Sequence, residues 1–294
     1  MPVILDQAHP SYASLSKTQP YLIASHFATI PDRRIGILNL MPTKIETEHQ
    51  LIKKLGTSPL HISIEWIRPE SHVCTHTDPN HIHQFYKTIP QIIHKSFDGI
   101  IITGAPVELL DFSEVDYWPE FRDFLAWCTR STSSTLHLCW AAQAGLYQRY
   151  GIEKQELQKK LFGVFSHENL KPHSPIMNGF DPIFRAPHSR HTQISIEDVA
   201  RVSSLSILAT SDRAGIYLIE SEDSKEIYVT GHPEYASETL VKEYERDLQL
   251  HEKMDKPENI SLDAINLDRD DSEWNSHATL LYTNWLHFYA KSKA

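Results

Sequence analysis

The chain has 294 residues, 40% hydrophobic and 22% charged, enough for a well-buried core and too large for a mini-protein held by disulfides. Its 28 Lys and Arg against 38 Asp and Glu give a net charge of −10 at pH 7; with no cluster of cations, that balance speaks against a nucleic-acid backbone or an anionic membrane as partner. No basic-then-apolar leader is present, no apolar run approaches the ~20 residues that span a bilayer, and Cys74, Cys128 and Cys139 stand at no metal-ligand spacing, so a cytoplasmic protein with free thiols and no metal centre is expected.

Residues 1–32 carry scattered Pro, Ser and Thr without a sustained period and read as an arm across the surface, with regular structure beginning near Arg33. From Arg34 the run RIGILNL is short and apolar on both faces, the pattern of a strand inside a parallel sheet. TKIETEHQLIKKLG follows, with Ile45, His49, Ile52 and Leu55 near helical spacing, Thr43 as the opening cap, an acidic residue three positions on, and Gly56 as the stop. HISIEWI alternates as a strand, Ser71 to His83 is polar and His-rich, a helical pattern runs from Phe85 to Ile93, and DGIIITGAP is another buried strand. The order continues with a helix over EVDYWPEFRDFLAWCTRS, a strand in TLHLCW and a helix over AAQAGLYQRY. Such alternation predicts an α/β fold with a doubly wound, mostly parallel sheet. After Gly151 come shorter runs, LFGVFSH, SILATS, GIYLIES and EIYVTGHPEY, suited to antiparallel edge strands, then a helix from Ser237 to about His251. A polar loop over about 252–273 and an amphipathic helix over WNSHATLLYTNWLHFYA close the chain, so residues 33–294 read as a single catalytic domain.

The chemistry points to STLHLCWAAQAGLY. An apolar strand runs into Cys139 and turns at once into a helix whose first turn is small residues, so the thiol stands at a strand's carboxyl end and a helix N-terminus, which favours thiolate. An arbitrary apolar cysteine is more often just a small buried hydrophobe, and Cys74 and Cys128 take that reading. Cys139 does not, because EIYVTGHPEY delivers His232 and Glu234 at a second strand end. A cysteine nucleophile needs an imidazole base, and the imidazole needs a carboxylate on its other nitrogen. In IIITGAPVE, the turn at Gly104 and Ala105 exposes backbone N–H groups that, with the amide of Trp140, form a candidate oxyanion hole. On the residues alone, Lys160 and Arg246 read as solvated helix charges and Lys44 as an exposed first-turn residue.

The segments ILNLMPTKIETE, DGIIITGAPVE, DYWPE, STLHLCWAAQAGLY, KLFGVFSHE, APHSRHT, VTGHPEY, EYERD and TNWLHFY resemble, over nearly the whole chain, the homoserine O-acyltransferases of methionine biosynthesis. The resemblance implies a class I glutamine amidotransferase-like fold and a homodimer. It implies Cys139 as acyl-accepting nucleophile in a ping-pong cycle, His232 as base, Glu234 as its partner, and Lys160, Ser189 and Arg246 as substrate contacts, with Lys44 a further one. It implies no cofactor beyond acetyl-CoA as co-substrate and L-homoserine as acceptor. In the family the position of Glu108 selects the donor, glutamate going with acetyl-CoA and glycine with succinyl-CoA; a carboxylate there fills the acyl pocket and repels a succinyl group's distal carboxylate. Where the family reads Trp-Arg-Ser-His-Gly-Asn, residues 274–279 read Trp-Asn-Ser-His-Ala-Thr, which leaves L-serine, one methylene shorter, as the alternative acceptor. A glutamine amidotransferase on the same triad is the remaining alternative.

Overall fold

The computed structural model describes residues 3–16, 22–24, 30–250, 255–260 and 272–291. Most of the polar loop expected at 252–273 lies outside these residues. The strands are β1 (Val3–Leu5), β2 (Leu22–Ala24), β3 (Arg33–Leu38), β4 (Ile62–Arg68), β5 (Tyr86–Thr88), β6 (Gly99–Ile102), β7 (Ser134–Leu138), β8 (Lys154–Asn169), β9 (Ile183–Ile194), β10 (Leu205–Ser211), β11 (Gly215–Ser221) and β12 (Glu226–Val229). The helices are α1 (Pro10–Leu15), α2 (Lys44–Leu55), α3 (Pro79–Phe85), α4 (Ile89–Ile92), α5 (Trp118–Ser131), α6 (Trp140–Tyr150), α7 (Ile196–Ala200), α8 (Ser237–Leu250) and α9 (Asn275–Asn284). No described helix is long and apolar enough to cross a membrane.

One sheet runs in the order β2-β1-β4-β3-β6-β7-β12-β11-β10-β8-β9, with β5 beside β4. It is parallel from β2 through β12 and antiparallel from β12 to β9; the mostly parallel sheet with an antiparallel end was expected, but EIYV, expected as an antiparallel edge strand, is β12 in the interior and pairs in parallel with β7. The central strands are buried on both faces. Ile101, Leu136 and Leu138 pack with Leu51, Leu55 and Trp285 on one side, and Ile100 and Ile102 pack with Phe121, Phe124 and Trp140 on the other. Two-sided burial is what a parallel sheet under helical layers requires, and it explains runs without polar alternation.

Four further expectations are corrected. The arm carries regular structure before Arg33: β1 pairs in parallel with both β2 and β4, and Val3 is fully buried. The Phe85 to Ile93 helix is broken. Pro90 has no N–H to give the Tyr86 carbonyl and would crowd it, so Tyr86–Thr88 instead pairs with Trp66–Arg68. The stretch containing APHSRHT forms β9, a strand not foreseen because Pro187 interrupts it; proline is tolerated there because β9 is the edge strand. Finally, Lys160 lies on β8, not on a helix.

Candidate active site

Parallel pairing decides where the site lies. Leu138 of β7 sits in register with Val229 of β12, and Ile102 of β6 with His137, so Cys139, His232 and Gly104 all follow the carboxyl ends of three adjacent strands. Cys139 has φ 49° and ψ −112°, a left-handed conformation that costs a non-glycine residue about 1–3 kcal/mol and is typical of functional turns. Its N–H donates to Val229 O (2.7 Å) and its carbonyl accepts from Ala142 N (3.0 Å) and Gln143 N (3.3 Å), which pins the elbow between β12 and the first turn of α6. The small residues let α6 lie close: a Cβ on Gly145 would stand 2.9 Å from Tyr228 Cε1 and 3.0 Å from His137 Nδ1.

His232 and Glu234 are both 3% exposed, and His232 Nδ1 lies 2.7 Å from Glu234 Oε1. The carboxylate accepts from Nδ1–H, which leaves Nε2 for the thiol. Burial disfavours the imidazolium, yet the charges of Cys139 and Glu234 and their hydrogen bonds overcome it and hold the His232 pKa well above its ordinary value. The imidazole is fixed from several sides: His232 N–H donates to Pro187 O (2.9 Å), and Tyr235 stacks on the ring at 4.1 Å. Trp274 Nε1 donates to Tyr235 O (2.9 Å), so the first residue of the 274–279 segment, unchanged from the family pattern, braces the ring that stacks on His232.

Gly104 abuts Cys139, a Cβ there falling 3.3 Å from Cys139 Cβ and 3.5 Å from His232 Cε1; Ala105 follows it and is 8% exposed. The Trp140 amide opens α6, where first-turn N–H groups lack helical acceptors. Glu108 is half-buried and faces the same space. Burial raises its pKa, against a hydrogen bond from the His191 backbone and the charges of His191, His232 and Lys160. Lys160 is not solvated: its side chain is 12% exposed, and Nζ donates to Asp247 Oδ2 (2.7 Å) and lies 4.3 Å from the Phe162 ring centroid. Arg246 is more open and donates to Asp247 Oδ1 from Nε (2.9 Å) and Nη2 (2.7 Å). Ser189 pairs with Phe162 across β8 and β9. The structure thus gathers Lys160 and Arg246 on one carboxylate, with Ser189 beside the ring that Lys160 covers.

Lys44 is buried, not exposed, its Nζ donating to Asn39 O (2.6 Å) and Met41 O (3.3 Å). Cys128 is buried with its pKa pushed up by that burial. Sequence reasoning missed two groups. Arg190, inside the quoted APHSRHT, is 1% exposed and close enough to Cys139 and Glu108 to feel both charges. Glu48 is fully buried between His81 Nε2 (3.0 Å) and His9 Nε2 (3.1 Å), and accepts from the Tyr86 hydroxyl. His9, Glu48 and His81 converge closely enough to hold a metal ion. However, His9 Nδ1 accepts from Ser11 N–H at 3.2 Å. That places the ring proton on Nε2, the atom an ion would need, so the cluster suits a carboxylate held by donors better than a metal.

The sequence profile described as homoserine O-succinyltransferase matches residues 2–294. The chain belongs to that family. A protein of Acetivibrio thermocellus named homoserine O-acetyltransferase is 42% identical over 292 residues, 98% of this chain and 96% of its own. One of Bacillus subtilis with the same name is 46% identical, covering 88% of this chain and 86% of its own. Among solved structures, a glutamine amidotransferase of Thermotoga maritima superposes with a TM-score of 0.58 at 12% identity, covering 89% of this chain and 99% of that one. A glutamine amidotransferase of Methylobacillus flagellatus gives 0.54 at 13%, covering 90% and 98%. At those identities the likeness is one of fold, and the expected glutamine amidotransferase-like architecture is the one observed.

Proposed function

We propose that this member of the family transfers an acetyl group from acetyl-CoA to the hydroxyl of L-homoserine through an acetyl-Cys139 thioester. The observation that carries the reading is the buried His232–Glu234 pair set against a strained elbow cysteine. The Cys139 thiolate attacks the thioester carbonyl of acetyl-CoA, and the oxyanion is met by N–H groups at Gly104, Ala105 and Trp140. Collapse breaks the C–S bond to CoA, and the His232 imidazolium gives its proton to the departing thiolate. Neutral His232 then takes the proton of the homoserine hydroxyl as that oxygen attacks acetyl-Cys139. The second collapse releases the ester and restores the thiolate–imidazolium pair. Lys160, Ser189 and Arg246 hold the amino acid, the guanidinium suiting its carboxylate, and Glu108 narrows the acyl pocket against succinyl-CoA.

L-Serine is the second acceptor to weigh, because Asn275, Ala278 and Thr279 depart from the family pattern directly after Trp274, which braces the base through Tyr235. The test is a competition: purified protein, acetyl-CoA and equal L-homoserine and L-serine, with both O-acetyl products quantified. At least ~10-fold more O-acetylhomoserine is expected, since one methylene is worth about 1–3 kcal/mol in a fitted pocket. A serine excess overturns the acceptor, and release of glutamate from glutamine without any acetyl transfer overturns the reaction.

A further inference from the structure

We propose that Arg190 is a positioning residue for this reaction, a buried cation tied to β9 and to the elbow helix whose field keeps Cys139 as thiolate beside Glu108. The inference rests on Cys139 being the acyl-accepting nucleophile.

The guanidinium is almost wholly buried and all its hydrogen bonds go to neutral acceptors: Nη2 donates to Ala214 O (2.6 Å), Nη1 to Thr192 O, and Nε to His188 Nδ1 (3.5 Å). Among the described residues no carboxylate forms an ion pair with it. A buried cation without a counter-charge is costly, so its surroundings must supply negative charge from a little farther off. The strand geometry says where. Thr192 O also accepts from Gln143 Nε2 (3.3 Å), Thr192 Oγ1 donates to Gln143 Oε1 (2.7 Å), and Gln143 N donates to Cys139 O (3.3 Å). One carbonyl thus joins Arg190 to the first turn after the nucleophile. On its other side, the backbone of His191 bonds the Glu108 carboxylate.

The charged and titratable groups around the thiol are His232, Glu234 and Tyr235 after β12, Glu108 after β6, and Arg190 on β9. Arg190 is the one cation among them whose charge stays when His232 gives its proton to the departing CoA thiolate. Burial pulls its pKa down to about 10 while Cys139 and Glu108 raise it, so it stays charged through the neutral range. Behind it, donation from Arg190 to His188 Nδ1 leaves the His188 proton on Nε2, 3.0 Å from His167 Nε2. Burial keeps both imidazoles neutral, His167 down at about 3. They orient the guanidinium without adding a second cation.

The test reads the thiol directly. Iodoacetamide alkylation of Cys139, followed by peptide mass across pH, gives the thiolate midpoint in the wild type, Arg190→Lys and Arg190→Met. Removing the charge is expected to raise the midpoint by about one unit, roughly tenfold less thiolate below it, and Arg190→Lys is expected to restore most of the shift. An unchanged midpoint in a folded Arg190→Met overturns the proposal. Should that variant not fold, Arg190→Gln, which keeps side-chain N–H donors without the charge, serves instead: the same upward shift of the midpoint is expected, and an unchanged midpoint overturns the proposal. Intact mass of the wild type after acetyl-CoA separates the two failures: no acetyl adduct on Cys139 defeats the functional reading whatever Arg190 does.

Discussion

Replacing Glu108 with glycine is expected to shift the donor preference toward succinyl-CoA. A succinyl group carries a carboxylate a few bonds beyond the thioester, into the space Glu108 faces. Two such charges about 5 Å apart at an effective dielectric constant of ~20 repel by about 3 kcal/mol. Glu108 is half-buried, and solvent screening reduces that to about 1–2 kcal/mol, roughly 5- to 30-fold in the ratio of kcat/KM values. Glu108→Gln separates charge from volume: it removes the repulsion and keeps the bulk, so it should recover part of the change. The pH dependence has a definite sign. Burial raises the Glu108 pKa, so protonation begins at higher pH than for an ordinary glutamate, and the wild type's discrimination against succinyl-CoA should weaken as pH falls. The assay is initial rate with each donor at fixed L-homoserine, by thiol release and product mass. A donor ratio that stays within about threefold of wild type in both variants refutes the role assigned to this carboxylate.

Cys139→Ala should lower transfer by ~1000-fold or more and abolish the acetyl adduct while thermal unfolding is unchanged; substantial residual turnover excludes a covalent route. Glu234→Gln removes the charge that holds the His232 tautomer and its raised pKa, so kcat should fall by ~100-fold or more with little change in KM, as steady-state kinetics would show. Glu48 is held ionised at about 2 against an ordinary 4.5, burial being outweighed by hydrogen bonds from His81, His9 and Tyr86. The carboxylate therefore contributes about 3 kcal/mol above pH ~4.5, lost as pH falls toward the folded value. Urea unfolding of Glu48→Gln should show a loss of that order at neutral pH and a smaller one in acid; equal losses at both would contradict the assignment.

Much of this site is written locally. Cys139 between an apolar strand and a run of Ala and Gly, and His232 two residues from Glu234 after EIYVTG, show their geometry through short-range pattern, because strand ends and helix starts are set by neighbours in sequence. The central parallel strands β3, β6 and β7 were legible for the same reason, each being a short apolar run buried on both faces. Other features depend on residues far apart in the chain. Pro187 disguised β9, whose edge position is set by pairing with β8. Lys160 and Lys44 look like surface cations until Asp247 and the Asn39 carbonyl are placed against them. Arg190 acquires its part only when β9 lays it behind the elbow, and Glu48 only when the arm brings His9 to it. By itself, then, the sequence determined the central strands and the strand-to-helix elbow at Cys139, and it placed His232 and Glu234 after a second strand, since periodicity and chain direction suffice for those. Tertiary structure alone decided which charges are buried and against what, because the energy of a charge depends on everything packed around it and not on its neighbours in the chain.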